Sequence, residues 1–302
     1  MQTNAHISVC ICTYKRPELL AKLLNALKDQ DSGGLFTYSV VVVDNDHKGS
    51  AHEIVCSFMR QSSISFSYHI EPEQNIALAR NIAVENARGE FIAFIDDDEY
   101  PLNTWLFNLY TAFNTYKPNG GVLGPVIPHY PEGTPKWLIK SKICDRPNPA
   151  TGTILDWNMT RTGNVLLSRK IFGERSFLFD QRYGRCGGED KELFKLLIDH
   201  GYSFIWCREA EVYEVVHPSR WKLSHYLYRA ILNGGDNGKW YCKGSVVYFT
   251  RSLISFLWHA GLLSVSIFVG KHYIYKCLIK VSFDFARIMG CFGIAFATAR
   301  RD

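Results

Sequence analysis

Four acids in a row, Asp96, Asp97, Asp98 and Glu99, stand directly behind the apolar run EFIAFI. Adjacent carboxylates repel one another, and gathering them at a strand end makes sense if a cation neutralises them. Alternate residues of an extended segment point the same way, so Asp96 and Asp98 are expected to converge. Hard oxygen ligands of this kind suit Mg²⁺ or Mn²⁺, which often complete their shell with substrate phosphates. Taken alone, the same cluster could be a solvated acidic turn. A second acidic pair, Glu189 and Asp190, follows two glycines at the entry of a helical pattern. Glycines let backbone and substrate approach closely, and carboxylates are favoured at a helix N-terminus. That favourable placement is also the plain structural reading of the pair.

The elements that must position these acids can be read from the periodicity. Residues 6–13 are β-branched and apolar, hence a strand, and 17–27 carry leucines at helical spacing behind Pro17. Residues 38–43 are a continuous apolar run ending in Asp44, typical of a buried parallel strand. A helix is expected at 51–60, a strand at 64–70, a helix at 75–87 capped by Gly89, and a strand at 90–95. This β-α-β-α-β-α-β order predicts a parallel sheet covered on both faces, with ligands beyond the carboxyl ends of its strands. Residues 13–16, 44–46 and 96–99 all follow strand ends. Further on, a helix is expected at 104–116, a strand at 120–127, a loop-rich stretch at 128–152, a strand at 161–168, a helix at 187–201 and mostly strand at 203–216.

The segments VCICTYKRPELL, VVVDND, NIALARNIAVENARGEFIAFIDDDEYP and GGEDKELFKLLIDHG, in this order and spacing, resemble a family 2 glycosyltransferase of the GT-A fold. The resemblance spans roughly residues 7–233, and the TGNVLLSR and HPSRW…RAILNGG segments look like its bacterial polysaccharide-assembly branch. It implies a mostly parallel, Rossmann-like α/β sheet flanked by helices. It also implies that Asp96 and Asp98 form a D-x-D motif holding Mn²⁺ or Mg²⁺ against a donor diphosphate, with Asp97 between them. Thr13, Tyr14 and Arg16 map to the loop that contacts the nucleotide, Asp44 to the carboxylate on its base or ribose with Asp46 nearby, and Arg80 to an arginine facing the nucleotide site. Asp190 matches the catalytic base, with Glu189 its neighbour, taking the proton from an acceptor hydroxyl as it attacks the anomeric carbon. His217 is implied as a further metal or phosphate ligand. Gly163 and Asn164, after Arg161, map behind the sugar site, and Trp137 and Trp157 could stack on an acceptor sugar or simply pack. The processive Q-x-x-R-W motif is incomplete, because His217 stands where its Gln would be, so single addition is expected.

The 302 residues carry 34 Lys+Arg, 29 Asp+Glu and 10 His, a net charge of +5, with 47% hydrophobic and 21% charged residues. That composition excludes a disordered chain, and 23 Gly without a triplet period exclude a collagen-like one. The charge is divided: residues 218–302 hold 12 Lys/Arg and 3 Asp/Glu, a net of +9, against −4 for the rest. Residues 252–270 are 19 long with no formal charge apart from a possible His259. Ser252, Ser255, His259 and Ser266 form one narrow helical stripe, and Lys276, Lys280, Asp284 and Arg287 a second. Such helices predict interfacial attachment to an anionic leaflet, with a span or packing on the catalytic domain or a partner chain as the alternatives, and no nucleic-acid module is visible. One catalytic domain is therefore expected over 1–233 and a basic, apolar helical region over 234–302. The N-terminus shows no signal-peptide pattern, and nine cysteines show no C-x-x-C pair, so a body on the cytoplasmic face of a membrane is expected. The expected partners are a nucleotide-sugar, a UDP-sugar above all, and a glycan or lipid-linked acceptor. A nucleotidyltransferase is the competing enzyme, disfavoured because CTYKRP lacks glycines. A non-catalytic nucleotide-sugar-binding scaffold is the competing binder.

Overall fold

The computed structural model describes residues 5–173, 178–185, 187–242 and 244–294, except the side chain of Trp240. Lys243, Arg300 and Arg301, which contribute to the basic tail, lie outside the described residues. The chain divides into two compact units. One comprises Met1–Ile127 and Arg146–Glu214, the other Pro128–Asp145 and Val215–Asp302.

In the first unit the expected β-α repeats are all present. Strand β1 (Ala5–Thr13) leads to helix α1 (Pro17–Lys28), which starts with Pro in its first turn, where a missing N–H costs nothing. Leu20, Leu23, Leu24 and Leu27 make one fully buried stripe on α1. Burying each is worth about 1.5–3 kcal/mol before the entropy of ordering it. Strand β2 (Phe36–Asp44), helix α2 (His52–Gln61), strand β3 (Ser65–Ile70), helix α3 (Ile76–Asn86) and strand β4 (Phe91–Ile95) follow. β1 pairs in parallel with β2 from Ala5↔Phe36 to Thr13↔Asp44 and with β4 from Ile7↔Phe91 to Cys10↔Phe94, and β2 pairs in parallel with β3. Thr13, Asp44 and Asp96 therefore leave the sheet at the same, carboxyl, edge.

Strand β5 (Glu99–Pro101) and helix α4 (Trp105–Tyr116) lead to strand β6 (Gly121–Leu123). The run 120–127 is not one strand as its composition suggests. It breaks at Gly124-Pro125, and β7 (Val126–His129) begins beyond. A Cβ at Gly124 would stand 2.6 Å from Asn164 Nδ2, and Pro125 has no N–H for a ladder. The loop-rich stretch after it contains a short helix, α5 (Lys136–Ser141). Strand β8 (Asn164–Ser168) enters antiparallel between β4 and β6, and β9 (Phe204–Trp206) pairs in parallel with β6. The seven-stranded sheet has the order β3-β2-β1-β4-β8-β6-β9. The region 203–216 holds two short strands rather than one: β9, and β10 (Val212–Val215), which pairs antiparallel with β5.

Both sheet faces are covered. Ile7, Val9 and Ile11 point to the side of α1, α2 and α4. Cys10, with Cys12 packed beside it, points to the side of α3 and α6 (Glu189–Asp199). Gly89 does not cap α3, whose C-cap is Ala87. It turns the chain into β4 at φ +81, with its backbone against that of His6. The second unit holds α7 (Leu223–Cys242), α8 (Val246–Ser266) and α9 (Lys271–Cys291). A single boundary near residue 233 would cut α7, and the division at 127/128, 145/146 and 214/215 leaves that helix whole. The eight cysteines among the described residues are free thiols.

Candidate active site

The acidic cluster after β4 is a turn, not an extended segment. Glu99 N donates to Asp96 O at 3.1 Å, so alternation along a strand does not set the direction of these carboxylates. Instead each acid is placed by a partner. Thr13 Oγ1 donates to Asp97 Oδ2 at 2.8 Å, and Arg16 Nη1 reaches Asp97 Oδ1 at 3.2 Å and Asp98 Oδ2 at 3.4 Å. Asp97 is buried, and burial pushes its carboxyl up against the opposing pull of Arg16 and Thr13. Asp97 is thus the strut of the turn. Asp96 is half exposed and Asp98 mostly covered, and these two remain at the mouth as candidate metal ligands.

Arg80 joins the two acidic motifs. It lies on the buried face of α3 and pairs with Glu189 on α6, while its Nη2 stands 3.6 Å from Asp96 Oδ1. Its guanidinium also stacks over Phe179 at 5.6 Å. Burial works against the Arg80 charge, but Glu189 and Asp96 outweigh it and hold its pKa above the usual arginine value. Burial pushes the Glu189 carboxyl up, with Arg80 opposing. Glu189 Oε1 is spent on Arg80, and its Oε2 is buried with no hydrogen-bond partner.

Asp190 differs from its neighbour. It is half-buried, its Oδ1 accepts from Lys191 N at 2.8 Å, and its Oδ2 accepts no hydrogen bond among the described residues. Gly187 and Gly188 enter α6 at φ +83 and +101. A Cβ at Gly188 would meet nothing within 4 Å, so that glycine serves the backbone turn and leaves open space above it. Of the pair, Asp190 keeps a carboxylate oxygen that accepts no hydrogen bond among the described residues, while Glu189 is paired with Arg80.

The loop after β2 is a self-contained brace. Asp44 is fully buried and accepts from Ala51 N at 2.7 Å, Asp46 N at 3.0 Å and Tyr68 OH at 3.0 Å. Asp46 accepts from Lys48 N at 3.3 Å. Asn45 donates to Glu71 O and Glu73 O and accepts from Asn75 N. An open depression lined by Pro17, Lys48, Ser50, His52 and Ile70 adjoins this brace. Tyr14 lies beside Lys15, whose Nζ is 4.7 Å from the Tyr14 ring, and Lys15 takes φ +53 at the strand exit.

Glu99, the last acid of the run, and Arg161 take their surroundings from the fold. Glu99 is fully buried, and its carboxyl is pushed well above the usual range by burial and then by Asp96, Asp98 and Glu214. Glu214 is its cross-strand partner and pairs with Arg146 at 2.7 Å. Arg161 makes no hydrogen bond or ion pair among the described residues. Burial and then Arg146 lower its pKa to about 10, against the attraction of Glu99, Asp190 and Glu214. A Cβ at Gly163 would stand 2.8 Å from Glu99 Oε1 and 3.0 Å from Asp96 Oδ2, so this segment lies against the acidic turn. Asn164 is structural: it donates to Pro125 O and Ala210 O and accepts from Trp105 Nε1. His217 belongs to the other unit, where its Nδ1 contacts Ser219 Oγ at 2.9 Å and caps a short 3-10 turn. Trp137, also in that unit, packs edge-on against Tyr226 and Tyr275, and Trp157 opens a 3-10 turn at 157–159.

The mostly parallel sheet, covered by helices and carrying an acidic turn at its carboxyl edge, is an α/β fold of the GT-A kind. The chain belongs to glycosyl transferase family 2, whose model matches residues 8–180. The succinoglycan biosynthesis protein ExoM of Rhizobium meliloti is 32% identical over 239 residues, covering 78% of this chain and 74% of ExoM. A chondroitin synthase of Escherichia coli is 24% identical and matches 71% of this chain, which spans only 35% of that longer protein. Among solved structures, S. aureus TarS 1-349 in complex with UDP-GlcNAc superposes with a TM-score of 0.55 at 18% identity, covering 76% of this chain and 67% of that one. At that identity the likeness concerns the fold. Family membership decides for glycosyl transfer over nucleotidyl transfer or a non-catalytic scaffold.

Proposed function

We propose that the protein is an inverting, divalent-metal-dependent glycosyltransferase. It moves one sugar from a UDP-sugar to a lipid-linked oligosaccharide, lipopolysaccharide or exopolysaccharide acceptor at the cytoplasmic face of a membrane. The observation that carries the reading is the continuous Glu189–Arg80–Asp96 connection, which fixes the Asp190 pair beside the acidic turn. The names of ExoM and chondroitin synthase support a polysaccharide acceptor, and the UDP-GlcNAc complex of TarS supports a UDP-sugar donor.

Asp96 and Asp98 would supply two hard carboxylate oxygens for Mg²⁺ or Mn²⁺ at the mouth, and substrate phosphates and water would complete the shell. When bound, the ion would neutralise charge gathering on the diphosphate. The chain's own residues do the rest. Arg16 holds Asp98, Thr13 and Arg16 hold Asp97, and Arg80 holds Asp96, so the acids meet a donor already oriented. Asp190 Oδ2 takes the proton of the acceptor hydroxyl as its oxygen bonds to the anomeric carbon. The bond from that carbon to the diphosphate oxygen breaks on the opposite side, which inverts the configuration.

Asp190→Asn is expected to lower turnover about 10²–10⁴-fold, the usual contribution of general-base catalysis, while donor affinity, measured by calorimetry, changes less than about threefold. Full turnover in that variant would remove Asp190 from the role. Release of nucleoside diphosphate, with and without Mn²⁺ in a chelator-treated preparation, tests the metal.

A further inference from the structure

The helices of the second unit are packed with their polar side inward. The stripe that the sequence shows on α8 does not face solvent. Ser252 and Ser266 are fully buried, Ser255 Oγ donates to Asp284 Oδ2 at 3.0 Å, and His259 Nδ1 meets the same oxygen at 2.6 Å. Arg287 Nη2 holds the other oxygen of Asp284 at 2.7 Å. Asp284 is the only acid in the sequences of α8 and α9, and it is buried under this network. The contacts Phe249–Phe292, Phe256–Phe285 and His259–Asp284 show that the two helices run antiparallel.

On the opposite side α9 meets α7 backbone to backbone. Gly234 and Gly238 of α7 lie against Phe283 O, Ala286, Arg287 O and Gly290 of α9. A Cβ at Gly234 would stand 3.1 Å from that of Ala286. Close contacts of this kind let helices associate through small residues where the surroundings offer no hydrophobic drive.

What α8 and the residues just after it leave outside is mostly apolar. Ile254, Leu257, Trp258, Val265, Ile267 and Phe268 are exposed, Trp258 by 66% and Phe268 by 89%. The exposed charges of α8 and α9 are Arg251, Lys271 and Lys280, all cations. A second copy would set this positive face against itself. An anionic lipid surface satisfies both its apolar and its basic parts.

We propose that the outer face of α8 is a bilayer-docking surface, which lies in the headgroup–acyl boundary of an anionic leaflet while α9 holds its polar side. This deepens the membrane placement proposed above and rests on it, but not on the reaction. α8 is long and apolar enough to cross a membrane. A span would however drag Lys276, Lys280, Asp284 and Arg287 of its antiparallel partner α9 into hydrocarbon, which is strongly unfavourable. Insertion along one face avoids that.

The test uses the full chain and vesicles of phosphatidylglycerol with phosphatidylcholine, against phosphatidylcholine alone. The protein should float with the anionic vesicles at least tenfold better than with the neutral ones, and alkaline carbonate should release it. Brominated acyl chains should quench its tryptophan emission, and Trp258→Phe should lose most of that quenching. Ile254→Asp with Leu257→Asp should abolish flotation with unchanged circular dichroism, unchanged sedimentation and unchanged donor binding. Undiminished flotation of that double variant overturns the proposal. So does resistance to carbonate, which would mean a span, and so does a wild-type dimer that the double variant converts to monomer, which would make the face a self-association surface. Loss of turnover with intact flotation would instead strike the catalytic reading alone.

Discussion

Arg80 is the residue on which the site depends most. It is buried, it carries its charge because Glu189 and Asp96 surround it, and no other described cation touches both acidic motifs. Removing one member of a buried ion pair strands the other, at a cost of about 3–5 kcal/mol. Arg80→Ala should therefore lower the urea midpoint substantially and abolish turnover as well. Glu189→Gln, which keeps the shape and a hydrogen-bonding oxygen, should retain more stability than Arg80→Ala. Equal urea midpoints for wild type and Arg80→Ala would show that the pair is solvated in solution. The acidic run and the GGED motif stand out in the sequence because adjacent charges are rare and costly. The burial of Glu99 and Arg161 is not legible, since their surroundings come from the Glu99↔Glu214 register and from the Gly163 backbone against the acidic turn, which no local pattern encodes. The strand geometry that would make Asp96 and Asp98 converge is replaced by a tight turn.

At the scale of elements, α3 carries Arg80 and is started by Asn75, whose Oδ1 accepts from Ala77 N at 3.1 Å and Leu78 N at 3.3 Å. Its Nδ2 donates to Gln181 O, tying the helix start to the segment before α6. Asn75→Ala should cost about 1 kcal/mol from the lost cap, read as a lower thermal or chemical midpoint. An unchanged midpoint would mean that water replaces the cap fully. The alternating elements up to residue 116 are legible because β2 and β4 are apolar runs, β3 alternates, and the helices each carry a buried stripe. Beyond Gly120 legibility falls. Gly124-Pro125 ends β6 early, β8 runs antiparallel, and β9 and β10 are three and four residues long, too short for periodicity to separate them. The polar stripes on α8 and α9 were visible, yet not that they face each other, because a helical wheel does not say which side meets a partner.

The whole molecule sets the pH response and the division of charge. His6 and His69 in one unit and His225 in the other all have pKa values lowered by burial, helped at His225 by Arg229 and Arg220 and opposed at His6 by Glu90. A histidine held below its ordinary value binds fewer protons folded than unfolded. Stability therefore falls as pH drops through about 6.5 toward the folded-state values. Buried Glu99 and Glu189, whose carboxyls are raised, act in the opposite sense, so the test is a difference: from pH 7 to pH 5.5 the thermal midpoint of His6→Gln with His69→Gln should fall less, or rise more, than that of the wild type. Equal changes in the two proteins would contradict it. The net charge of +5 is likewise a sum of parts with separate tasks: carboxylates gathered at one sheet edge, and cations around an apolar helix face.

The central claim, metal-dependent sugar transfer with Asp190 as base, is tested most directly by following a labelled sugar. A panel of radiolabelled UDP-sugars is incubated with the protein and a bacterial membrane extract, and the label is counted in the organic-soluble and polymer fractions. The account predicts that label from one donor moves into the acceptor fraction with stoichiometric release of UDP. Transfer should depend on Mn²⁺ or Mg²⁺, stop with EDTA, and fall about 10²–10⁴-fold with Asp190→Asn. Undiminished transfer by Asp190→Asn, transfer insensitive to EDTA, or release of nucleoside monophosphate in place of diphosphate would contradict it.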